Sequence, residues 1–425
     1  MRCLSQVVLA TACLNIRAVV AAPLLRRASC ATNVTDEPIP PSEDPWYTAP
    51  YEFEKEAPGT ILRVRPAPGN LTTLAGNSSA AYNILYRTTD SRYKPTWAVT
   101  TLFVPVEATA SLLSYQIPYD SAFIDASPSY ALYAGVSADI SNSLGKGWYV
   151  NVPDYEGPLA SFTAGVMSGH ATLDSVRAVL SGASRFHLPS NVTSALWGYS
   201  GGALASEWAA ELQVQYAPEL NISGAALGGL TPNVSSVLET IYTGIEAGLA
   251  PAAIIGLCNQ YPDVKDYMVS KLKTSGPYNG TTFMSAVNMT LNDAISAFAF
   301  KNISEYFVDG LADIFNPITE KAIYNDGVMG YHGIPQFPLY VYKAVHDEVS
   351  PINDTDKLVD EYCNMGVNIL YQRNSVGGHS ADSINGRPAA EAWLNSVFNG
   401  TYADSYSTRG CTIEDVAVNI TSSSI

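Results

Sequence analysis

Two hydrophobic patterns alternate along the 425 residues. Short apolar runs closed by Gly, Pro or Asp recur at 96–105 (TWAVTTLFVP), 111–117 (SLLSYQI), 147–157 (GWYVNVPDYEG), 194–199 (SALWGY), 222–229 (ISGAALGG) and 338–347 (PLYVYKAVHD). Their length and their closing residues predict buried strands. Between them lie stretches with helical spacing, clearest at 172–183 (TLDSVRAVLSGA) and 203–217 (ALASEWAAELQVQYA). Strands alternating with helices predict an α/β fold, a mostly parallel sheet covered on both faces.

The alternation stops between about 230 and 330. Leu238, Ile241, Tyr242 and Ile245, then Leu291, Ile295 and Phe298, then Phe307, Leu311 and Ile314 recur three and four residues apart, as on one face of a helix. Strand spacing resumes at Pro338. A helical insertion between two core strands is expected to cap the carboxyl edge of the sheet, where such folds bind ligands. The chain then divides into a signal segment (1–22), a first core part (28–229), a helical cap (230–330) and a second core part (331–425).

The first 22 residues read as an export signal. Arg2 precedes an apolar stretch from Val7 to Leu14, and small residues follow at Ala18, Ala21 and Ala22. Asn15 and Arg17 interrupt the apolar run, which excludes a membrane span of about 20 apolar residues. Arg26-Arg27 is a dibasic processing candidate. Twelve N-x-[ST] sequons, at Asn33, Asn70, Asn77, Asn191, Asn221, Asn233, Asn279, Asn288, Asn302, Asn353, Asn399 and Asn419, agree with a secreted, N-glycosylated chain. Four cysteines remain beyond the signal. Three pairings are open, and Cys363 with Cys411 and Cys30 with Cys258 is the one favoured, chiefly because the first pair brackets a compact carboxyl-terminal segment. No cysteine pair has the close spacing of a zinc site, so no metal is expected. A net charge of -16 would repel nucleic acid and anionic membranes.

The chemistry centres on GYSGG, residues 198–202, set between a predicted strand and a predicted helix. G-x-S-x-G in that context is a nucleophile elbow, with Ser200 thrust above the sheet and the glycines admitting close strand and helix. A serine hydroxyl needs a base. Chain order in such folds is serine, acid, histidine, which removes His170 and His187 and favours His379 in SVGGHSADS over His332 and His346. Asp347, closing the strand PLYVYKAVHD, is the acid, with Glu348, Asp354 and Asp356 as alternatives. The backbone N–H of Gly201 is one oxyanion donor, and a second should come from QIPYDSAFIDA at Asp120 or Ser121.

The blocks LWGYSGGALASEWAAELQVQYAPELNISGAALGG, YKAVHDEVSP and VGGHS resemble, in this order, the fungal secretory lipase family, which includes lipase A of Candida-type yeasts and also trichothecene deacetylases. The resemblance implies an α/β-hydrolase core with an inserted helical cap, a triad at Ser200, Asp347 and His379, and an oxyanion hole at the backbone of Asp120 and Gly201. It implies a secreted carboxylic-ester hydrolase without cofactor, acting on lipid or other acyl esters, with a lipid–water interface as a partner. A narrow-substrate deacetylase is the main alternative. A serine peptidase using the same triad is less favoured, and a catalytically silent binding protein stands further off because every triad position is filled.

Overall fold

Among the described residues, 37–420 of the computed structural model, ten strands join in one sheet. The expected signal segment, Arg26-Arg27, Cys30 and Asn33 lie outside those residues. In chain order the strands are β1 (Ile61–Pro66), β2 (Ser78–Thr89), β3 (Pro95–Pro105), β4 (Ser111–Gln116), β5 (Tyr149–Pro153), β6 (Thr193–Tyr199), β7 (Ile222–Gly228), β8 (Leu339–Ala344), β9 (Ile369–Asn374) and β10 (Cys411–Val416). Across the sheet they run β1-β2-β3-β5-β4-β6-β7-β8-β9-β10. The first four pair antiparallel, and every pairing from β5 to β10 is parallel. This is an α/β-hydrolase sheet, lengthened at its edges.

The central strands β4, β5 and β8 are buried at every position, so their apolar runs are continuous rather than alternating. One face packs against helices Gly165–Ser181, Gly201–Tyr216 and Ile352–Asn364, the other against Ala138–Gly145 and Arg387–Phe398. The first two helices approach closely because Gly165 and Gly169 lie against Trp208, where a Cβ would clash at 2.0 and 2.8 Å.

Parallel register aligns Gln116 at the end of β4 with Gly198 near the end of β6. The loop carrying Asp120 therefore leaves the sheet beside the turn carrying Ser200. Between β7 and β8 the chain is helical, with Val234–Ile241, Leu249–Cys258, Pro262–Lys271, Leu291–Phe298 and Pro317–Asp326 its longer helices. These segments bury a cluster of their own, including Leu238, Ile241, Met268, Phe283 and Phe298, which also takes in Ala122 and Val349 of the core.

Cys363 and Cys411 form a disulfide with Cα atoms 5.8 Å apart. The expected Cys30–Cys258 pairing rests on a residue outside those described. Cys258 carries a free thiol at the end of an apolar helix within the cap cluster, and burial pushes that thiol up to about 12.

Candidate active site

Ser200 joins β6 to helix Gly201–Tyr216 at φ +53° and ψ −122°, a backbone region that a residue with a side chain enters only under constraint. Three glycines make the room, each for a different neighbour. A Cβ on Gly198 would lie 2.1 Å from the Gly202 carbonyl oxygen, one on Gly202 2.0 Å from the Gln116 carbonyl oxygen, and one on Gly201 1.9 Å from Asp120 Oδ1. The strand thus packs on its own helix, the helix start on the end of β4, and Asp120 on the residue after the serine.

Helix His379–Asn385 begins just past β9, and Asp347 lies three residues past β8. Their parallel pairing brings both side chains to the serine. His379 Nδ1–H donates to Asp347 Oδ2 at 2.7 Å, which leaves Nε2 to accept from Ser200 Oγ at 2.8 Å. The other Asp347 oxygen accepts the backbone N–H groups of Val349 and Ser350 at 2.9 and 2.8 Å. Burial alone would raise this carboxyl. The hydrogen bond from His379, the charge of Lys343 and the Ser350 N–H reverse that and hold it well below the usual carboxylate range.

Lys343 was not singled out in the sequence, yet its Nζ lies 3.0 Å from Asp347 Oδ2 and donates to the Leu230 carbonyl at 2.7 Å. Its signal was a charge inside the apolar strand LYVYKA. Two of the alternative acids, Glu348 and Asp356, are engaged elsewhere. Glu348 Oε2 accepts the backbone N–H of His379 at 2.8 Å and so helps fix the histidine's loop. Asp356 accepts from Tyr371 and Arg373. His346 is exposed, His332 lies over Trp208, and His170 is stacked on Tyr216 at 3.8 Å, its buried ring pushed down to about 3.

Asp120 has φ +43° and is buried, and burial pushes its carboxyl up to about 7. Gly201 is the first residue of its helix, where backbone N–H groups have no intrahelical acceptor. Ser121 is spent differently: its Oγ donates to the Met289 carbonyl at 2.7 Å and ties this loop to the cap.

Ser200 and Asp120 line two cavities. One, of ≈ 50 Å³, is walled almost wholly by apolar groups, among them Phe162, Leu204, Val237, Leu238 and Ile241. The other, of ≈ 470 Å³, also reaches His379 and includes Tyr115, Asp139, Tyr342 and Arg387.

A profile of the secretory lipase family matches residues 136–405. The chain belongs to the secretory lipase family. It is 51% identical over 409 residues to trichothecene C-3 esterase of Fusarium sporotrichioides, covering 92% of this chain and 91% of that one. To lipase A of Arthroderma benhamiae it is 38% identical over 399 residues, covering 88% and 82%. In structure it is similar to Candida antarctica lipase A, with a TM-score of 0.79 and 28% identity over 86% of this chain and 88% of that one. This secretory lipase relative is therefore a carboxylic-ester hydrolase with an α/β-hydrolase fold. Secretion is the localisation its family carries, and among the described residues no helix is long and apolar enough to cross a membrane.

Proposed function

We propose that Ser200 is the nucleophile, His379 the base and Asp347 the acid that orients it, and that the substrate is a short-chain ester of a bulky alcohol. The observation that carries the mechanism is the unbroken chain of contacts from Asp347 through His379 to Ser200, at 2.7 and 2.8 Å. Ser200 Oγ attacks the ester carbonyl carbon while its proton passes to His379 Nε2. The resulting oxyanion is received by the N–H groups of Gly201 and Asp120. Collapse expels the alcohol, which takes the proton from His379 and leaves an acyl-enzyme. Water then attacks the acyl carbon, again through His379, and the acid departs with Ser200 restored.

Cavity size supports the acyl preference. A space of ≈ 50 Å³ accommodates a few water-sized groups, since about 10–15 Å³ on this measure holds one water. An acetyl or propionyl group suits it, and a palmitoyl chain does not. The relative named for a trichothecene ester, a rigid alcohol, agrees better with these dimensions than does a triglyceride lipase. The test is kcat/KM for p-nitrophenyl acetate, butyrate and palmitate, with triolein and an acetylated sesquiterpenoid alongside. Acetate is expected to exceed palmitate by at least about 100-fold, the scale of discrimination an apolar pocket gives. Equal rates on triolein and the acetylated sesquiterpenoid would overturn the short-acyl reading.

We also infer N-glycans on exposed sequons. Asn70, Asn191, Asn221, Asn288, Asn353 and Asn399 are exposed, whereas Asn233, Asn279 and Asn302 each accept a backbone N–H at the start of a helix. Glycopeptide mapping is expected to find glycans in the first group and bare asparagines in the second. Glycans on the second group alone would defeat the inference.

A further inference from the structure

The ≈ 470 Å³ crevice beside Ser200 contains an ion pair that the chemistry at the serine does not use. Arg387, first residue of helix Arg387–Phe398, pairs through Nε with Asp139 of helix Ala138–Gly145. Tyr115 Oη donates to the other Asp139 oxygen at 2.6 Å. All three residues line the crevice. Joining the two helices does not account for the pair, because Glu391, one turn further on, already does so. It accepts from Asn142 Nδ2 at 3.0 Å and from Lys146 Nζ at 2.6 Å.

The side chains of Arg387 and Asp139 are 23% and 13% exposed. An ion pair so far withdrawn from water costs desolvation that an apolar contact of the same size would not. Asp139 holds the guanidinium at Nε, and no protein acceptor among the described residues engages the terminal Nη groups. Two cap side chains on the same crevice, Glu246 and Asn292, likewise make no hydrogen bond or ion pair through their side chains among the described residues. The crevice therefore offers a fixed fork of donors, an amide and a carboxylate, all unspent.

We propose that this crevice is the leaving-alcohol subsite and that Arg387 hydrogen-bonds acceptor oxygens of a rigid, oxygen-rich alcohol, with Asn292 and Glu246 engaging its further hydroxyls. The proposal rests on the reading that the acyl group fills the narrow cavity on the other side of Ser200. Arginine suits the role because its planar donors are pre-oriented and always charged. A site built of such groups rejects an alcohol lacking the matching oxygens, because its polar atoms would be left unpaired.

Two measurements test it. First, kcat and KM are determined for cyclohexyl acetate and for the monoacetate of a rigid polycyclic triol, in the wild type and in Arg387→Met. The variant is expected to lower kcat/KM at least tenfold more on the triol ester than on cyclohexyl acetate, mainly through KM. An equal loss on both esters would mean a structural role and overturn the proposal, as would no loss on the triol ester. Second, titration calorimetry of the free triol against Ser200→Ala reads the subsite without the chemistry. Arg387→Met in that background is expected to weaken binding at least tenfold, and unchanged binding would overturn the proposal. Tyr115→Phe, which removes only the hydroxyl holding Asp139, is expected to weaken binding in the same direction and serves if Arg387→Met fails to fold. A Ser200→Ala protein that still hydrolysed acetates would defeat the nucleophile assignment and leave the binding result standing.

Discussion

A carboxyl group pressed against the residue after the nucleophile creates an electrostatic conflict at Asp120. In the proposed mechanism the acyl carbonyl acquires negative charge there in the transition state, and no cationic side chain among the described residues makes a hydrogen bond or ion pair with Asp120. The titratable groups that interact with it electrostatically are the buried Glu156, itself raised by burial and by Asp120, and the phenol of Tyr155, and neither is a cation. A neutral Asp120 is compatible with a forming oxyanion, and an ionised one opposes it. Because burial lifts its carboxyl to about 7, kcat/KM is expected to fall as pH rises through that value. In Asp120→Asn, whose amide cannot ionise, the alkaline decline should flatten. A pH–rate profile with the same decline in Asp120→Asn as in the wild type would assign the falling limb to another group. Ser200, Asp347 and His379 were legible in the sequence because each stands at a boundary marked by glycine or by the end of an apolar run. The Asp120 carboxyl and Lys343 were not, since their roles depend on what packs against them, and spacing along the chain carries no such information.

Among the elements, legibility followed burial. Strands β3 to β8 lie in the interior of the sheet and announced themselves as apolar runs. Both edges escaped. β1 reads ILRVRP and β10 reads CTIEDV, and neither is buried along its length, so each mixes charges with apolar residues and resembles a loop. β2, SSAAYNILYRTT, is long and well buried at its second half, but its polar and aromatic residues follow no clean period. β9, ILYQRN, is only partly buried and mixes apolar with polar residues. The edge at β10 is held covalently as well as by pairing. Its first residue, Cys411, is bridged across 48 residues to Cys363 in helix Ile352–Asn364. Closing a loop of that size removes about 4 kcal/mol of unfolded-chain entropy in the simplest treatment. Cys258, buried in the cap cluster, packs as an ordinary small core residue inside an apolar helix.

At the scale of the whole molecule, the buried carboxyls set the response to pH. Burial raises Asp120 and Asp154 to about 7 and Asp174 and Asp326 to about 6, and lifts Glu156 and Glu207 well above the usual range. In the unfolded chain these groups ionise near 4. Between pH 4 and 7 the native state therefore holds more protons than the unfolded state, and stability falls as pH rises through that window. Asp347 works in the opposite sense, since its carboxyl is depressed: its contribution is complete above pH 4 and is lost only under stronger acid. Thermal unfolding is expected to give a higher Tm at pH 5 than at pH 7.5, with Glu156→Gln raising Tm at pH 7.5 more than at pH 5. A Tm unchanged or higher at pH 7.5 would contradict this.

The two cavities meeting at Ser200 also order the events of a catalytic cycle. When the alcohol leaves, the acyl group remains in its narrow chamber, and the vacated crevice is the broad approach to the ester bond of the acyl-enzyme. Water arrives by the door through which the alcohol left. Any hydroxyl compound able to enter there competes with water for the acyl group, so the same architecture that hydrolyses an ester can return an acyl group to a fitting alcohol or pass it to another. Partition between hydrolysis and acyl transfer then depends on how long the departing alcohol lingers in its crevice and on how much of it accumulates outside the cell.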